Sequence, residues 1–387
     1  MVKRFSTYTY IVYFLNAELT LTEAQIQNYT LQEIEKIMLF NGATLEDIEH
    51  FPKPSREGID NSNRLIIDEL RYNNQSDLKK KHSDWIQKLT PEQRGIYDQI
   101  TNAVFNDLGG VFFVYGFGGT GKTFIWKTLA AAVRSKGQIC LNVASSGIAS
   151  LLLEGGRTAH SRFSIPLNPD EFSVCKIKPK SDLADLIKEA SLIIWDEAPM
   201  MSKFCFEALD KSFSDIIKRV DNKVFGGKVM VFGGDFRQVL PVINGAGRAE
   251  IVMSSLNASY LWDHCKVLRL TKNMRLLNND LSVDEAKEIQ EFSDWLLAVG
   301  DGRVNEPNDG EVIIDIPEEL LIQEADNPIE AISREIYGDP TKLHEISDPK
   351  FFQRRAILAP KNEDVNTINQ YMLEHLDSKF TYTILII

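Results

Sequence analysis

The sequence predicts an α/β domain built on a parallel sheet with helices packed against it, and two observations carry that prediction. From Leu89 onward short apolar runs alternate with helical segments, the pattern of strands joined by crossovers. One of those runs leads through a glycine-rich turn, Gly116 to Gly121, directly into a helix.

The strands are expected at Val111–Tyr115, Ile139–Ala144, Leu192–Trp195, Lys228–Phe232 and Val267–Leu270, each a short run rich in apolar or β-branched residues. Between the first two, Thr123–Lys136 reads as a helix, closed by Gly137 at the position where a helix end favours glycine. Upstream, residues 18–48 read as one or two helices, with Leu31, Ile34, Ile37 and Met38 at helical spacing. A polar stretch from Pro52 to Asn63 and a charged segment through Lys79, Lys80 and Lys81 follow. Residues 1–85 are therefore expected to form a helical arm with little chemistry of its own. The parallel-sheet domain is expected to occupy 86–277. A second unit, 278–387, opens with the capping box Ser282 and Glu285. Its stripe Val283, Ala286, Ile289, Phe292, Leu296, Val299 should form a buried face, followed by a strand at Ala356–Ala359 and a helix at Glu363–Leu376.

Composition narrows the class. The 387 residues are 43% hydrophobic, and Gly and Pro together number 37, which excludes collagen-like and low-complexity chains. No apolar run approaches the roughly 18–20 residues that cross a bilayer as a helix, so no membrane partner is expected. Cys140, Cys175, Cys205 and Cys265 are scattered without a C-x-x-C pair, and are expected as reduced, mostly buried thiols. The first 15 residues only faintly resemble a targeting segment, because Ser6, Thr7 and Thr9 interrupt the apolar stretch. Net charge is −12, and 14 acids against 4 bases between Asp301 and Lys350 supply most of it. That sign argues against coating a duplex with bulk positive charge, while leaving room for a narrow channel with a few placed donors.

Gly116-Phe117-Gly118-Gly119-Thr120-Gly121-Lys122-Thr123 matches G-x-x-x-x-G-K-[ST]. Glycines let backbone N–H groups curl around phosphate oxygens, and the following helix N-terminus adds its dipole. Lys122 is expected to reach the β- and γ-phosphates and Thr123 to hold Mg²⁺. Leu192 to Glu197 is an apolar strand ending in two acids, of which Asp196 would bind Mg²⁺ and Glu197 would polarise the attacking water. The expected ligands are therefore a nucleoside triphosphate and Mg²⁺, and the resemblance described below implies that the nucleotide is ATP. Gln238, in Gly233-Gly234-Asp235-Phe236-Arg237-Gln238, can either sense the γ-phosphate or sit on a surface loop. Arg275, in Thr271-Lys272-Asn273-Met274-Arg275, can either stabilise charge on the transferring phosphate or be solvated. Gln93 faces two demands, as the N3 member of a capping box with Thr90 or as an adenine reader. Ser146, His160 and Phe163 lie in segments suited either to tracking a single strand and stacking its bases or to ordinary loops with a packed Phe.

From about Leu89 to Asn369 these segments, with FSDWLLAVGDG and ILAPKNEDVNTIN, resemble the petite-integration-frequency (PIF) family of superfamily-one DNA helicases, including forms carried by Helitron transposons. The resemblance implies two RecA-like P-loop NTPase domains, the second incomplete here, and ATP-driven 5′-to-3′ movement on single-stranded DNA with separation of forked duplex. It implies roles in repair, recombination and telomere maintenance, and a nuclear location with the mitochondrion as alternative. By the same resemblance Gln93 becomes the adenine reader, Gln238 the γ-phosphate sensor and Arg275 an arginine finger. Ser146, His160, Phe163 and, on the second domain, Asn362 become DNA contacts. The sequence departs from the family in two ways. Lys361 stands where a threonine is usual, and residues 377–387 match nothing in a second domain that the family continues well beyond this point. The expectation is a C-terminally truncated second domain. An idle relic that binds nucleotide or DNA without unwinding is the alternative reading.

Overall fold

The computed structural model describes residues 23–40, 43–54, 63–74, 77–218, 223–277, 282–304, 313–322, 325–346 and 348–375. The faint N-terminal targeting pattern and the unmatched tail 377–387 lie outside them. The chain divides into two compact units, Met1–Asp301 and Gly302–Ile387.

Among the described residues of the first unit, six strands form one sheet. They are β1 (Gly110–Tyr115), β2 (Ile139–Ala144), β3 (Arg157–Thr158), β4 (Ala190–Asp196), β5 (Val229–Gly234) and β6 (Cys265–Arg269), in the order β3-β2-β4-β5-β1-β6. Every pairing is parallel, as crossover helices require. All five predicted strands are present within two residues of their expected ends. The two-residue β3 carries no apolar signal and was not foreseen.

Period-2 alternation sorts the strand side chains between two cores. Phe113, Leu141, Ile193, Trp195, Met230 and Phe232 face one side, where Leu186 and Ile187 of α8 (Asp182–Glu189) and Phe206, Leu209 and Phe213 of α9 (Lys203–Ile217) cover them. Phe112, Val114, Cys140, Leu192, Ile194 and Val231 face the other, beneath Ile96, Ile100 and Val104 of α4 (Pro91–Phe105) and Ile125, Trp126 and Leu129 of α5 (Lys122–Arg134). Strands buried on both faces read as continuous apolar runs, which is why the sequence showed them clearly.

The arm is α1 (Glu23–Phe40), α2 (Arg64–Leu70) and α3 (Leu78–Gln87). It carries more chemistry than its sequence suggests. Glu69 of α2 is buried against two arginines of the sheet domain, forming an ion pair with Arg162 and lying 4.0 Å from Arg134, while Arg134 also pairs with Glu154 at 2.9 Å. The ring of Tyr72 stacks beneath the Arg134 guanidinium, 4.6 Å from its centroid. One arm carboxylate thus neutralises charges that would otherwise be buried with less compensation.

Two short helices follow β2 and β3, α6 (Gly147–Leu151) and α7 (Ala159–Phe163). Between β5 and β6 lies α10 (Arg248–Ser254), and after β6 comes α11 (Val283–Gly300). Ser282 and Glu285 form the expected capping box at the start of α11. Its apolar stripe is not a buried face: no residue of α11 is buried, Val283 is 86% exposed, and Phe292 and Leu296 are about half exposed. In the second unit, α12 (Pro328–Tyr337), α13 (Pro349–Gln353) and α14 (Asn362–Glu374) form, but residues 356–359 are not a strand. A β-strand needs a ladder partner for its N–H and C=O groups, and none pairs with 356–359 among the described residues.

All four cysteines are free thiols, and burial pushes each up to about 12, well out of the reactive range. Among the described residues no helix is long and apolar enough to cross a membrane.

Candidate nucleotide-binding site

The site is assembled at the carboxyl ends of β1, β4 and β5, where parallel sheets present their loops. β1 passes into the glycine-rich turn, which is stitched to its neighbours by backbone bonds. Gly116 N–H donates to Gly234 O of β5 at 3.3 Å, and Met274 N–H donates to Gly119 O at 2.8 Å. Gly119 adopts φ +95, a region costly for a side chain, and a Cβ there would lie 2.9 Å from Asn273 Oδ1 and 3.3 Å from Arg275 Nε. Thr120 is buried, its hydroxyl donating to Phe117 O at 2.9 Å. Nothing in the structure requires glycine at Gly118.

Lys122 opens α5 and is buried, its ammonium donating to the carbonyls of Gly116 at 2.5 Å and Phe117 at 3.5 Å. It lies where the turn's N–H groups and the start of α5 converge. Thr123, half-buried, is the next residue of the first turn.

β4 delivers Asp196 to the same edge. Asp196 is 4% exposed, and its buried Oδ1 makes no well-aligned hydrogen bond, the Trp126 indole N–H beside it being likewise without one. Such an orphan costs free energy unless something pairs with it. Burial raises the Asp196 carboxyl above its ordinary range, while the Trp126 indole and the Lys122 ammonium pull it back down. Glu197 follows in a left-handed conformation, φ 52 and ψ 40, uncommon for a residue with a side chain. Its carboxyl is also raised, by burial first and then by Asp196, with Lys122 opposing and Asp235 adding to the rise. A half-buried carboxylate shifted toward neutrality suits a group that takes a proton from water.

Asp235, just past β5, was not singled out by the sequence reading. It is buried, and its Oδ1 accepts the backbone N–H of Arg237 at 3.1 Å. The signal available was an acid at the end of a buried strand, the feature that marked Asp196. Gln238 of this loop is exposed, with its N–H donating to Asp235 O at 3.1 Å. The γ-phosphate role that the resemblance implies for it belongs to the proposal below. Arg275 is exposed but lies against Gly119, which places its guanidinium beside the phosphate-binding turn.

Gln93 does the work of a cap. Its N–H donates to Thr90 Oγ1 at 3.3 Å and its Oε1 accepts from Thr90 N–H at 3.1 Å, while Nε2 reaches Thr120 O at 3.1 Å. Both ends of the amide are thus engaged, one in the capping box and the other on the phosphate-binding turn. The neighbouring Glu92, which the sequence reading passed over, accepts from Thr271 N–H at 3.0 Å and Thr271 Oγ1 at 2.9 Å. Adjacent residues at the start of α4 thus grip the phosphate-binding turn and the Arg275 segment.

The polynucleotide candidates divide. Phe163 is fully buried, its ring packed against Trp195 and Phe213 at centroid distances of 6.5 and 5.6 Å. It is a core residue and cannot stack on a base, which corrects the sequence expectation. Ser146 caps α6, accepting from Ala149 N–H at 3.2 Å. His160 is half-buried on α7, and burial lowers its pKa, favouring the neutral ring. Asn362 is exposed at the start of α14 in the second unit.

The side chains fit a Mg²⁺ carried in by a triphosphate. Among the described residues no three His, Cys, Asp or Glu side chains gather to hold an ion by themselves. The orphan Asp196 Oδ1 and the Thr123 hydroxyl supply oxygen donors, and Mg²⁺ ordinarily completes its shell with phosphate oxygens and water.

A family model for PIF1-like helicases matches residues 88–310, more than half of the chain. The chain belongs to the PIF1-like helicase family. Curated relatives within this family include the ATP-dependent DNA helicase PIF1 of Danio rerio, 28% identical over 221 residues, covering 57% of this chain and 31% of the relative. The human protein of the same name is 26% identical over 170 residues, covering 43% of this chain and 25% of the relative. The curated relatives' own lengths are spanned only from 16% to 31%. Among solved structures, the Pif1 helicase of Candida albicans aligns at 24% identity and TM-score 0.45, covering 60% of this chain and 50% of that one. The turn, the strand-end acids and the Gly233–Gln238 loop all fall inside the matched PIF1-like region.

Proposed function

We propose that this chain is an ATP-hydrolysing DNA helicase motor that moves 5′ to 3′ on single-stranded DNA and opens forked duplex. Its ATP site is made by Gln93, Gly116, Gly118, Gly119, Thr120, Gly121, Lys122 and Thr123, with Asp196, Glu197, Asp235, Gln238 and Arg275 around its far end. The single observation that carries the reading is the buried Asp196 Oδ1, without a well-aligned hydrogen bond, held beside Lys122 and ahead of the raised Glu197 carboxyl. When bound, Mg²⁺ would neutralise phosphate charge between Thr123 and Asp196. In this reading the turn and Lys122 orient the triphosphate, Glu197 accepts a proton from the attacking water, and Arg275 meets charge developing on the phosphoryl oxygens. Ser146, His160 and Asn362 remain the proposed DNA contacts. Roles in repair, recombination and telomere maintenance, and a nuclear or mitochondrial location, belong to the same proposal.

The test is a phosphate-release assay with and without single-stranded DNA. Turnover that rises with DNA and falls at least 100-fold in Lys122→Ala supports the motor. Nucleotide binding without turnover in the unaltered chain would overturn it in favour of a chain that binds ATP without spending it.

A further inference from the structure

We propose that α11 is the element that carries the state of the nucleotide site to the end of the first unit, and that Asp301 is the positioning residue that couples it. The proposal rests on the ATP-site reading above. None of the residues of α11 is fully buried, although Ile289, Trp295, Leu297 and Val299 are half-buried. Among the described residues two polar contacts also tie the helix, and each is made by a loop at the proposed γ-phosphate end. At the C-terminal end of α11, Arg237 Nε lies 2.7 Å from Asp301 Oδ1, with both side chains partly buried. The stem of Arg237 lies along Gly300, where a Cβ would come within 3.1 Å of Arg237 Cδ and 3.2 Å of its Cβ. A side chain at this position would push the arginine stem aside by a few tenths of an ångström. In the middle of α11, Ser293 Oγ accepts from Asn273 Nδ2 at 3.4 Å.

Neither partner is an incidental surface group. Arg237 stands between Asp235, whose carboxylate accepts its N–H, and Gln238, and its guanidinium lies 5.5 Å from the Tyr115 ring centroid at the end of β1. Asn273 accepts the N–H of Arg275 at 3.1 Å and approaches Gly119 of the phosphate-binding turn. A helix tied at two such points, with no fully buried residue of its own, is placed to shift when either loop shifts. Asp301 is the last residue of the first unit, so any shift of the helix end is delivered to the start of the second.

The test is hydrogen exchange on the full chain, with and without Mg²⁺-ADP and fluoroaluminate, for the unaltered protein, Asp301→Asn, Asp301→Ala and Asp301→Glu. In the unaltered chain the analogue should slow exchange at 116–123 and change exchange at 283–300 by about fivefold or more. Asp301→Asn and Asp301→Ala should keep the response at 116–123 and lose it at 283–300, and Asp301→Glu should restore it. A merely structural role would change exchange at 283–300 equally with and without analogue, and would overturn the proposal. So would protection at 116–123 with no response at 283–300 in the unaltered chain, and that outcome leaves the ATP-site reading standing. Absence of protection at 116–123 would remove both.

Discussion

The two compact units carry sequence segments of similar clarity on foundations of very different depth. In the first, Phe113, Trp195, Phe206, Phe213 and Phe232 are fully buried and in ring contact with one another or with their neighbours, so the strand ends that lead to Asp196 and Asp235 have fixed positions. In the second, the described buried side chains are Leu343 and Ser333, and Leu358, inside the ILAPKN segment, is 92% exposed. A functional side chain is only as well aimed as the core that carries it. The difference teaches that a recognisable segment and a built site are separate properties.

Three substitutions sharpen that contrast. The largest effect is expected at Glu69, because Glu69→Ala leaves Arg162 and Arg134 buried with less compensation. Chemical denaturation should show a loss of about 3–5 kcal/mol. A loss under about 1 kcal/mol would mean that the arm is an accessory to the first unit and not part of it. Next is Asp196→Asn, which removes a carboxyl whose ionisation burial disfavours. Because the folded-state pKa is raised, the folded chain retains a proton that the unfolded chain releases. The carboxyl's contribution to stability is therefore lost as pH rises from the ordinary value of 3.8 through the raised one. The variant should gain melting temperature over the unaltered chain across that window, by about 2–4 °C for each ~1 kcal/mol recovered, and match it below. ATP turnover should fall together with this gain in stability. A variant that melts lower at neutral pH would show that the carboxyl is not strained by burial. The smallest effect is expected in the second unit, where Leu358→Ala should alter stability by no more than about 0.5 kcal/mol. A larger change would show that Leu358 is covered in solution and that the contrast between the units is overstated.

Glu92 and Asp235 show where reading the chain stopped short. Both are acids beside residues that had been noticed; Glu92 belongs to no spacing pattern with a known chemical meaning, whereas Asp235 follows a buried strand as Asp196 ends one. Their roles appear only when Thr271 and Arg237, distant or turned back in the fold, arrive at their carboxylates. Phe163 failed in the opposite direction. Its neighbours Thr158, His160 and Ser161 are polar, so the local sequence resembles an exposed loop, yet a five-residue helix turns the ring inward onto Trp195.

What the chain determined unaided is whatever depends on neighbours in sequence. The continuous apolar runs of strands buried on both faces, the glycine-rich turn running into α5, and the capping boxes at Thr90 and Ser282 all act within a few residues, and all are present. What only the tertiary structure decided is whatever depends on a distant partner. The shared amide of Gln93, the burial of Phe163, the exposure of the α11 stripe and the missing strand at 356–359 each turn on what packs or pairs across the fold. Local backbone preferences and hydrogen bonds have a reach of three or four residues. Burial and charge compensation are properties of surroundings that the chain must fold to acquire.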